Sequence, residues 1–274
     1  MKYAAIALVL AWVFAEAPAL TQGVAASLVA AHRGGALLWP ENSLLAFRNA
    51  VGLGADFLEF DVHLSKDGEV VVIHDATLDR TTTGTGPVRE RTLAELRTLR
   101  LKDRGGVVTE EPIPTLDDVI AVAAGGKRRM LLEIKPDERR QRYPGIEEKV
   151  VAILDRHGVT GSTVVMAFER DTWRRIRELR PDITAGALYS PGTLRALGST
   201  LAKELDAART AGVSVIGLHQ DLVDASIVAA ARQHAMTLGV WTVNEPGALR
   251  RVIDLGAPIV ITDRPDLAKQ MVNR

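Results

Sequence analysis

The sequence predicts an α/β protein, a single (β/α)8 TIM barrel with a small inserted excursion after the hairpin of its second strand. Eight short apolar runs alternate with amphipathic stretches, and this alternation is typical of parallel strands joined by helices. Eight such units close into a barrel of about 250 residues. Residues 27–274 provide that length, and we predict one domain over them. The excursion is predicted at Thr81–Pro114, with one short helix around Leu93–Leu99.

The apolar runs supply the strands and the stretches between them supply the helices. The strand candidates are Leu28–Ala31, Phe57–Asp61, Met130–Ile134, Thr163–Phe168, Ile183–Leu188, Ser214–Leu218, Leu238–Val243 and Ile259–Thr262. The helix candidates are Ser43–Leu53, Leu116–Ala124, Ile146–His157, Asp171–Leu179, Leu201–Ala211, Ala225–His234 and Pro246–Leu255. Side chains that can cap a helix N-terminus begin several of them, namely Ser43, Thr115, Asp171 and Asp224. Glycines suited to the left-handed end of a helix follow others, namely Gly158, Gly212 and Gly256.

The second strand leads into a predicted hairpin. Asp67-Gly68 lies between two apolar runs, which is the strongest short-range signal for a two-residue hairpin loop. With that loop Lys66 pairs with Glu69, and His74 comes opposite Asp61. Strand side chains alternate between the two faces of a sheet. The residues expected to share one face are therefore Glu59, Asp61, His63 and His74.

The charge balance and the absence of cysteine exclude several kinds of function. The chain has 34 basic and 34 acidic residues, which argues against a nucleic-acid-binding surface or a polybasic membrane patch. Without cysteine it has no disulfide, no thiolate metal ligand, no cysteine nucleophile and no lipoprotein anchor. We therefore expect no nucleic-acid partner.

The first 26 residues have the pattern of a signal peptide. Lys2 gives a positive start, an apolar run covers Ala4–Phe14, and small residues at 24–26 fit a cleavage site near Ala26. The apolar run is far shorter than the roughly 20 residues that span a bilayer. We expect a periplasmic or secreted protein with no stable membrane span after cleavage. An uncleaved anchor or an N-terminal tail is the alternative interpretation.

Polar residues cluster at the carboxyl ends of the predicted strands, where barrel active sites assemble. Singly, each has an ordinary structural interpretation, such as a hydrogen-bonded core histidine or a solvated loop charge. Their convergence on one rim favours a catalytic site. They are His32-Arg33-Gly34-Gly35 after the first strand, Glu59 and Asp61 with His74 at the second, Glu133-Ile134-Lys135 at the third, Trp241-Thr242-Val243-Asn244 at the seventh and Thr262-Asp263-Arg264 at the eighth.

The acidic members of this set predict a metal site. Glu59, Asp61 and Glu133 offer only oxygen ligands, which suit Ca²⁺ or Mg²⁺ and suit zinc poorly. Such a cation polarises a phosphoryl oxygen and lowers the pKa of a bound hydroxyl. This chemistry serves displacement at a phosphodiester.

The basic members complement the metal site. Arg33 and Lys135 would offset the charge of a phosphate, and an arginine can bind it through two nitrogens. His32 and His74 would divide the roles of general base and general acid, because the unperturbed pKa of histidine lies near operating pH.

These residues resemble the glycerophosphodiester phosphodiesterase family. The resemblance runs in the family's order from about Val29 to Leu267. Any one motif is weak, but the ordered set is strong. The motifs are His32-Arg33-Gly34, Pro40-Glu41-Asn42-Ser43, Glu59-Phe60-Asp61, Lys66-Asp67-Gly68, Val72-Ile73-His74-Asp75, Arg80-Thr81-Thr82 with Gly84 and Gly86, Glu133-Ile134-Lys135 and Trp241-Thr242-Val243-Asn244.

The resemblance implies a barrel that hydrolyses glycerophosphodiesters to sn-glycerol 3-phosphate and an alcohol. It implies that the substrate's own glycerol hydroxyl attacks phosphorus, and that water then opens the resulting cyclic phosphate. On matching positions it implies the following roles: His32 and His74 as acid–base pair, Glu59, Asp61 and Glu133 as metal ligands, and Arg33 and Lys135 as phosphate-binding residues. Two positions depart from the family pattern: Ser43 stands where threonine is usual and Ala167 where serine is common.

Several residues keep two interpretations. Trp241 belongs either to the barrel core or to the substrate wall; the resemblance favours the wall, where an aromatic face can pack on a choline cation. Glu41, with Asn42 beside it, would orient His32 or the metal site, or simply favour the following helix dipole. His63 is expected to be a rim residue rather than a metal ligand. For His219 a solvated loop position is favoured over the rim.

Two other functions remain open on this scaffold. A phospholipase of the phosphatidylinositol-cleaving or D type would be favoured by a large exposed apolar rim on the excursion, and that stretch is polar. A non-catalytic protein that binds glycerophosphodiesters would be favoured by loss of a histidine or of a metal carboxylate, and all of these are present.

Overall fold

Eight parallel strands close into a barrel in the computed structural model, which describes residues 26–273. The strands are β1 Leu28–Ala31, β2 Phe57–Leu64, β3 Val70–Val72, β4 Arg129–Ile134, β5 Thr163–Ala167, β6 Thr184–Tyr189, β7 Val215–His219, β8 Thr237–Trp241 and β9 Ile259–Thr262. All except β3 form the ring, which closes where β1 pairs with both β9 and β2. The predicted TIM barrel is confirmed. The predicted signal peptide, 1–26, lies outside the described residues except for Ala26.

Helices follow the strands around the outside of the ring. They are α1 Leu44–Gly52, α2 Leu93–Thr98, α3 Leu116–Gly125, α4 Ile146–Arg156, α5 Arg170–Leu179, α6 Pro191–Leu197, α7 Leu201–Thr210, α8 Ala225–Gln233, α9 Pro246–Asp254 and α10 Pro265–Val272. The sequence prediction omitted α6 and α10. A helix-start signal was available for α6, because Ser190 caps its N-terminus and Pro191 is its first residue.

The predicted helix caps are confirmed with one exception. The side chains of Ser43, Thr115 and Asp224 each accept a hydrogen bond from a backbone N–H in the first turn of their helix. Asp171 was predicted to cap α5, and this is wrong. It lies within the first turn, and the N-cap position is held by Glu169 without a side-chain hydrogen bond. An acidic residue is favourable at either place, since both lie at the positive end of the helix dipole.

The core of the barrel determines which side chains can reach the site. An apolar cluster inside the ring includes Phe57, Leu131 and Ile259, all near the amino ends of their strands. Because side chains alternate along a strand, Phe57 shares its face of β2 with Glu59 and Asp61. The interior is therefore apolar at the bottom and acidic toward the carboxyl ends of the strands.

The hairpin between β2 and β3 has a different loop from the predicted one. The loop has three residues, Lys66–Gly68, and is closed by a hydrogen bond of 2.9 Å from the Ser65 N–H to the Glu69 carbonyl. Gly68 has φ +80°, the left-handed conformation that the last residue of a three-residue hairpin loop adopts. The predicted two-residue turn at Asp67-Gly68 is therefore wrong.

The longer loop changes which residues lie opposite each other. Val71 pairs with His63, and the Ile73 N–H donates to the Asp61 carbonyl at 3.0 Å. Ile73, and not His74, lies opposite Asp61, so the predicted shared face does not include His74. His74 follows the end of β3, and the bend of the chain there directs it to the site.

The excursion after β3 folds on its own small apolar core. Its buried members are Val71, Ile73, Leu78, Val88, Leu96, Leu101 and Ile113. The predicted short helix is present as α2, which begins with a reciprocal capping box between Thr92 and Glu95. Val107 and Val108 are the large apolar side chains that the excursion exposes.

None of the described helices is long and apolar enough to cross a membrane.

Candidate active site

The candidate site is a pocket of about 280 Å³ at the carboxyl ends of the strands. Its polar lining consists of His32, Arg33, Glu59, His74, Glu133, Lys135 and Thr242. Its apolar lining consists of Met166, Phe168, Leu188, Trp241 and Ile261. Every residue predicted for catalysis, metal binding or phosphate binding lines this pocket except Asp61, which is buried beside it.

Three buried carboxylates come together at the base of the pocket. Glu59 and Asp61 alternate along β2, and Glu133 lies beside Asp61 on β4. One oxygen of each lies within 4.8 Å of the others. The Oε1 atom of Glu133 is buried, and Lys135 Nζ lies 2.8 Å from it. The predicted ligand set is thus assembled with the all-oxygen character that hard divalent cations prefer.

The two carboxylates of β2 have opposite electrostatic environments. Burial and the neighbouring charges of Asp61 and Glu133 raise the pKa of Glu59 to about 8, although His32 opposes the shift. Burial would also raise the pKa of Asp61, but the neighbouring basic side chains, those of His74 and Lys135 foremost, hold it well below its usual range. Negative charge at Glu59 is therefore the less well compensated of the two.

His32 is held between two carboxylates. It begins a 3₁₀ turn directly after β1, and its Nδ1–H donates to Asp263 Oδ1 at 2.6 Å. Its Nε2 faces the pocket, 3.9 Å from Glu59 Oε2. Burial lowers the pKa of His32, but the charge of Glu59 and the hydrogen bond to Asp263 outweigh it and raise the pKa above its ordinary value.

His74 is held in a similar way on the other side of the pocket. Its Nδ1–H donates to Asp75 Oδ1 at 2.6 Å. Lys135 Nζ lies 3.3 Å from its Nε2, and because an ammonium only donates, that nitrogen is an acceptor. His74 thus presents a lone pair to the pocket.

Two cations face the acidic cluster. The backbone N–H of Arg33 donates to Glu59 at 2.8 Å, and its guanidinium Nε lies 3.6 Å from Asp61. Arg33 has φ +50°, an uncommon backbone conformation that concentrates at functional sites. Lys135 Nζ is 2.8 Å from Glu133 and 3.6 Å from Asp61. Burial opposes its charge, but these carboxylates raise the pKa of Lys135.

Comparison with known proteins identifies the family of this chain. Residues 32–267 match the model of the glycerophosphoryl diester phosphodiesterase family. The chain belongs to this family. A glycerophosphodiester phosphodiesterase of Caldanaerobacter subterraneus subsp. tengcongensis is 32% identical over 249 residues, covering 90% of this chain and 98% of the relative. One of Bacillus subtilis is 30% identical, covering 88% of this chain and 84% of the relative.

Solved structures extend the agreement to the fold. A crystal structure from Agrobacterium tumefaciens has a TM-score of 0.83 at 29% identity and covers 90% of this chain and 98% of its own. A phosphodiesterase of Oleispira antarctica in complex with the product sn-glycerol-3-phosphate has a TM-score of 0.77 at 25% identity, covering 91% and 98%. The family resemblance inferred from the motifs is therefore confirmed. The members of this family are enzymes, named as glycerophosphodiester phosphodiesterases.

The structure gives roles to three residues that the sequence analysis named without assigning them a role: Asp75, Arg80 and Asp263. Asp263 and Asp75 each hold one histidine. Arg80 donates to both oxygens of Asp75 at 2.7 and 2.8 Å, and to both oxygens of Glu41 at 2.8 Å. The sequence feature that could have indicated these roles is the position of the aspartates: Asp75 directly follows His74, and Asp263 directly follows the last strand.

Glu41 and Asn42, although adjacent in the chain, contact different residues of the site. Glu41 binds Arg80 and accepts a hydrogen bond of 3.3 Å from Arg33, and it has no contact with His32. The Asn42 amide donates to Asp61 Oδ2 at 3.0 Å. Of the two residues predicted to orient the site, Asn42 therefore contacts the acidic cluster, and Glu41 contacts Arg33, a predicted phosphate-binding residue.

Trp241 lies on the wall of the pocket. Its ring meets those of Phe168 and His219 edge to face, with centroids 5.7 and 5.3 Å apart. The indole Nε1–H is buried and has no partner among the described residues. His219 is partly exposed at the end of β7 and does not line the pocket.

His63 is buried rather than exposed at the rim, which corrects the expectation. Its Nε2 lies 3.1 Å from the backbone carbonyl of His74 and must donate to it, so its Nδ1 accepts from the Tyr143 hydroxyl at 3.0 Å. Burial lowers the pKa of His63 to about 4, and the ring is neutral at ordinary pH. It contributes no ligand to the acidic cluster.

Proposed function

We propose that this protein hydrolyses glycerophosphodiesters to sn-glycerol 3-phosphate and an alcohol, with a divalent cation and two histidines. The observation that carries the proposal is the pocket itself, in which two carboxylate-held histidines flank an acidic cluster and two cations. The names of the relatives and the product bound to the Oleispira antarctica enzyme support the same reaction.

The residues present fit a hard divalent cation. Glu59, Asp61 and Glu133 would hold it through one carboxylate oxygen each, and these oxygens lie within 4.8 Å of one another. When bound, Ca²⁺ or Mg²⁺ would offset the negative charge of the cluster and polarise a phosphoryl oxygen. The raised pKa of Glu59 marks the position where a positive charge is most needed.

The two histidines would divide the proton transfers. His74, with a lone pair on Nε2, takes the proton of the glycerol hydroxyl next to the phosphate ester, and that oxygen bonds to phosphorus. The bond from phosphorus to the alcohol oxygen breaks, and protonated His32 gives its proton to the leaving alcohol. Water then adds to phosphorus with the roles reversed, the ring oxygen leaves, and sn-glycerol 3-phosphate forms. Each acid–base contribution is worth roughly 10²–10⁴ in rate.

Arg33 and Lys135 would bind the phosphate during both steps. Arg33 can offer two guanidinium N–H groups, and Lys135 a point charge already shared with the carboxylates. Their charges oppose the negative charge that grows on the phosphoryl oxygens.

The test is release of glycerol 3-phosphate from glycerophosphocholine and other glycerophosphodiesters, with and without a chelator. We expect product that vanishes on chelation and returns with Ca²⁺ or Mg²⁺. His32→Ala and His74→Ala should each remove most turnover while thermal unfolding stays cooperative. Near-native rates in both variants would sink the two-histidine mechanism, and no product from any head group with metal present would overturn the function.

We also propose export of the protein and removal of residues 1–26, on the basis of the charged, apolar and small-residue segments in that order. Amino-terminal sequencing of protein recovered from the periplasm or medium is the test. Recovery only from the cytoplasm with Met1 retained would contradict it.

A further inference from the structure

Arg80 binds two carboxylates at once, from a position outside the catalytic pocket. It lines a second cavity of about 610 Å³ that borders the pocket, and it does not line the pocket itself. We propose that Arg80 is a positioning residue that shares the negative charge of Asp75 and thereby keeps His74 neutral, in the form that accepts a proton. The inference rests on the proposed hydrolysis of glycerophosphodiesters and deepens it, because it says what assigns the role of base to one of the two histidines.

The two aspartates that hold the histidines have different third partners. Both oxygens of Asp75 accept hydrogen bonds from the guanidinium of Arg80, at 2.7 and 2.8 Å. Asp263 instead accepts a hydrogen bond of 2.7 Å from the amide of Asn244, which is uncharged. A carboxylate that is paired with a fixed cation attracts a second cation less strongly. Asp75 therefore favours a protonated imidazole less than Asp263 does.

One oxygen of Asp75 joins Arg80 to His74. This Oδ1 atom accepts the His74 Nδ1–H at 2.6 Å and an Nη2–H of Arg80 at 2.8 Å. The guanidinium also binds Oδ2 through Nε at 2.7 Å, so the plane of the carboxylate is fixed. The orientation of the imidazole and the negative charge that it meets therefore both depend on Arg80.

The remaining charges around His74 are balanced without Arg80 or oppose protonation of the ring. Of the described carboxylates, only that of Asp75 is in ion-pair contact with the ring. Lys135 Nζ lies 3.3 Å from Nε2, where its charge opposes protonation, and it also lies 3.6 Å from Asp61. The charged or titratable groups that face His74 are Asp75, Arg80, Lys135, Asp61, Glu41 and His63.

Glu41 fixes the other edge of the Arg80 guanidinium. Its two oxygens accept hydrogen bonds from Nη1 and Nη2, each at 2.8 Å. Four of the five N–H groups of the guanidinium are thus used. Although the side chain of Arg80 is 49% exposed, it is held from two separate segments, because Glu41 follows β1 and Asp75 follows β3.

The backbone around Arg80 is fixed independently of its side chain. The Thr82 N–H donates to the Leu78 carbonyl at 3.1 Å, and the Lys102 N–H donates to the Thr81 carbonyl at 2.8 Å. A substitution that removes only the charge at position 80 should therefore preserve this turn. Such a variant tests the charge of Arg80 rather than the fold of the excursion.

The measurement is kcat/KM for glycerophosphocholine as a function of pH in wild type, Arg80→Gln and Arg80→Lys. Ca²⁺ or Mg²⁺ is held at a concentration where doubling it leaves the rate unchanged, and the substrate has no group that titrates near neutral pH. A base must be neutral to act, so the acid limb of the profile follows protonation of His74. In Arg80→Gln we expect this limb to move to higher pH by about one unit, which lowers kcat/KM about tenfold there. Arg80→Lys restores a positive charge and should move the limb back toward its wild-type position.

Arg48→Gln is the matched control, because Arg48 forms an ion pair with Glu111 at 3.4 Å and lines neither cavity. It removes the same charge and should leave the acid limb unchanged. An NMR pH titration of the His74 imidazole gives a second measurement that needs no turnover, and its midpoint should also rise in Arg80→Gln. If Arg80→Gln does not fold, judged by thermal unfolding, Glu41→Gln replaces it. Arg80 then neutralises Asp75 more fully, and both measurements should move to lower pH.

A loss of rate that is equal at every pH, with an unchanged NMR midpoint, would overturn the role of Arg80 and leave the proposed hydrolysis intact. No product from any glycerophosphodiester with metal present would overturn the proposed function. In that case the NMR titration would still decide whether Arg80 controls the protonation of His74.

Discussion

At the scale of single residues, the site depends on two aspartates that fix the tautomers of two histidines. Asp75 and Asp263 each accept an Nδ1–H at 2.6 Å, which leaves the Nε2 atom of each ring available to the pocket. Such partners are expected to orient a catalytic imidazole and stabilise its charged form.

Replacing either aspartate by asparagine should therefore impair turnover without unfolding the protein. The asparagine amide can donate to Nδ1 and hold the ring in the wrong tautomer, so we expect kcat to fall by about 100-fold or more. The measurement is glycerol 3-phosphate release under saturating substrate. Asp117→Asn is the control, because Asp117 binds His157 at 2.6 Å outside the pocket. An equal loss in all three variants would contradict the assigned role.

The buried His63 predicts a pH dependence of stability. Burial lowers its pKa from 6.5 to about 4 in the folded protein, so between these values the unfolded chain binds the proton and the folded one does not. The stability that His63 contributes is complete above pH 6.5 and is lost as pH falls toward 4, by about 3 kcal/mol in free energy of unfolding.

This pH dependence can be isolated by comparing wild type with His63→Gln. Denaturant unfolding between pH 7 and pH 4, with chelator present, should show a smaller loss of stability in the variant. Parallel curves for the two proteins would show that His63 does not titrate as its burial requires.

At the scale of the elements, the hairpin and the chain beyond it bring one of the two catalytic histidines, with its hydrogen-bond partners, to the barrel. The loop at Lys66–Gly68 sets the register of β3, and the chain beyond β3 then supplies His74, Asp75 and Arg80. Arg80 links Asp75 to Glu41, and so joins the excursion to the segment that follows β1. The catalytic geometry therefore depends on an element that is not part of the barrel ring.

Gly68 is a position where this element is sensitive to a small change, because its backbone is left-handed. At φ +80°, an alanine side chain would cost roughly 1–2 kcal/mol, and the added carbon would lie 3.0 Å from Lys149 Nζ. Gly68→Ala should lower the free energy of unfolding by about 1 kcal/mol, measured by denaturant titration. Gly161→Ala is the control, since that site has ordinary φ and open space. Equal stabilities of the two variants would contradict the strained loop.

At the scale of the whole molecule, three buried carboxylates meet inside a closed barrel. The burial of these charges and their mutual repulsion both oppose folding, as the raised pKa of Glu59 indicates. A cation that binds only the folded state would relieve this repulsion and stabilise the protein by mass action.

Adding Ca²⁺ or Mg²⁺ to chelator-treated protein should therefore raise its melting temperature. At about 100 times the Kd the gain in free energy of unfolding is about 2.7 kcal/mol. Glu133→Gln should remove most of this gain, and sodium chloride of equal ionic strength should not reproduce it. A melting temperature that is insensitive to either cation would argue against the metal site, independently of any activity assay.

The sequence by itself determined the barrel and most of the residues at its rim. Strand and helix alternate with local periodicities, and polar residues such as His32, Glu59 and Lys135 directly follow or end apolar runs. These are short-range features, and the closed ring confirms them. The hairpin was also visible, but its register was not, because one additional loop residue with positive φ moves every pairing by one position.

Only the tertiary structure decided which group each catalytic residue binds. Asp263 lies 231 positions from His32 in the chain, and they meet because β1 pairs with both β2 and β9 when the ring closes. His63 looked like a rim residue, but packing against Tyr143 buried it. Contacts between distant segments depend on how the barrel closes and how the excursion folds over it. Neither can be inferred from the local periodicity of the sequence.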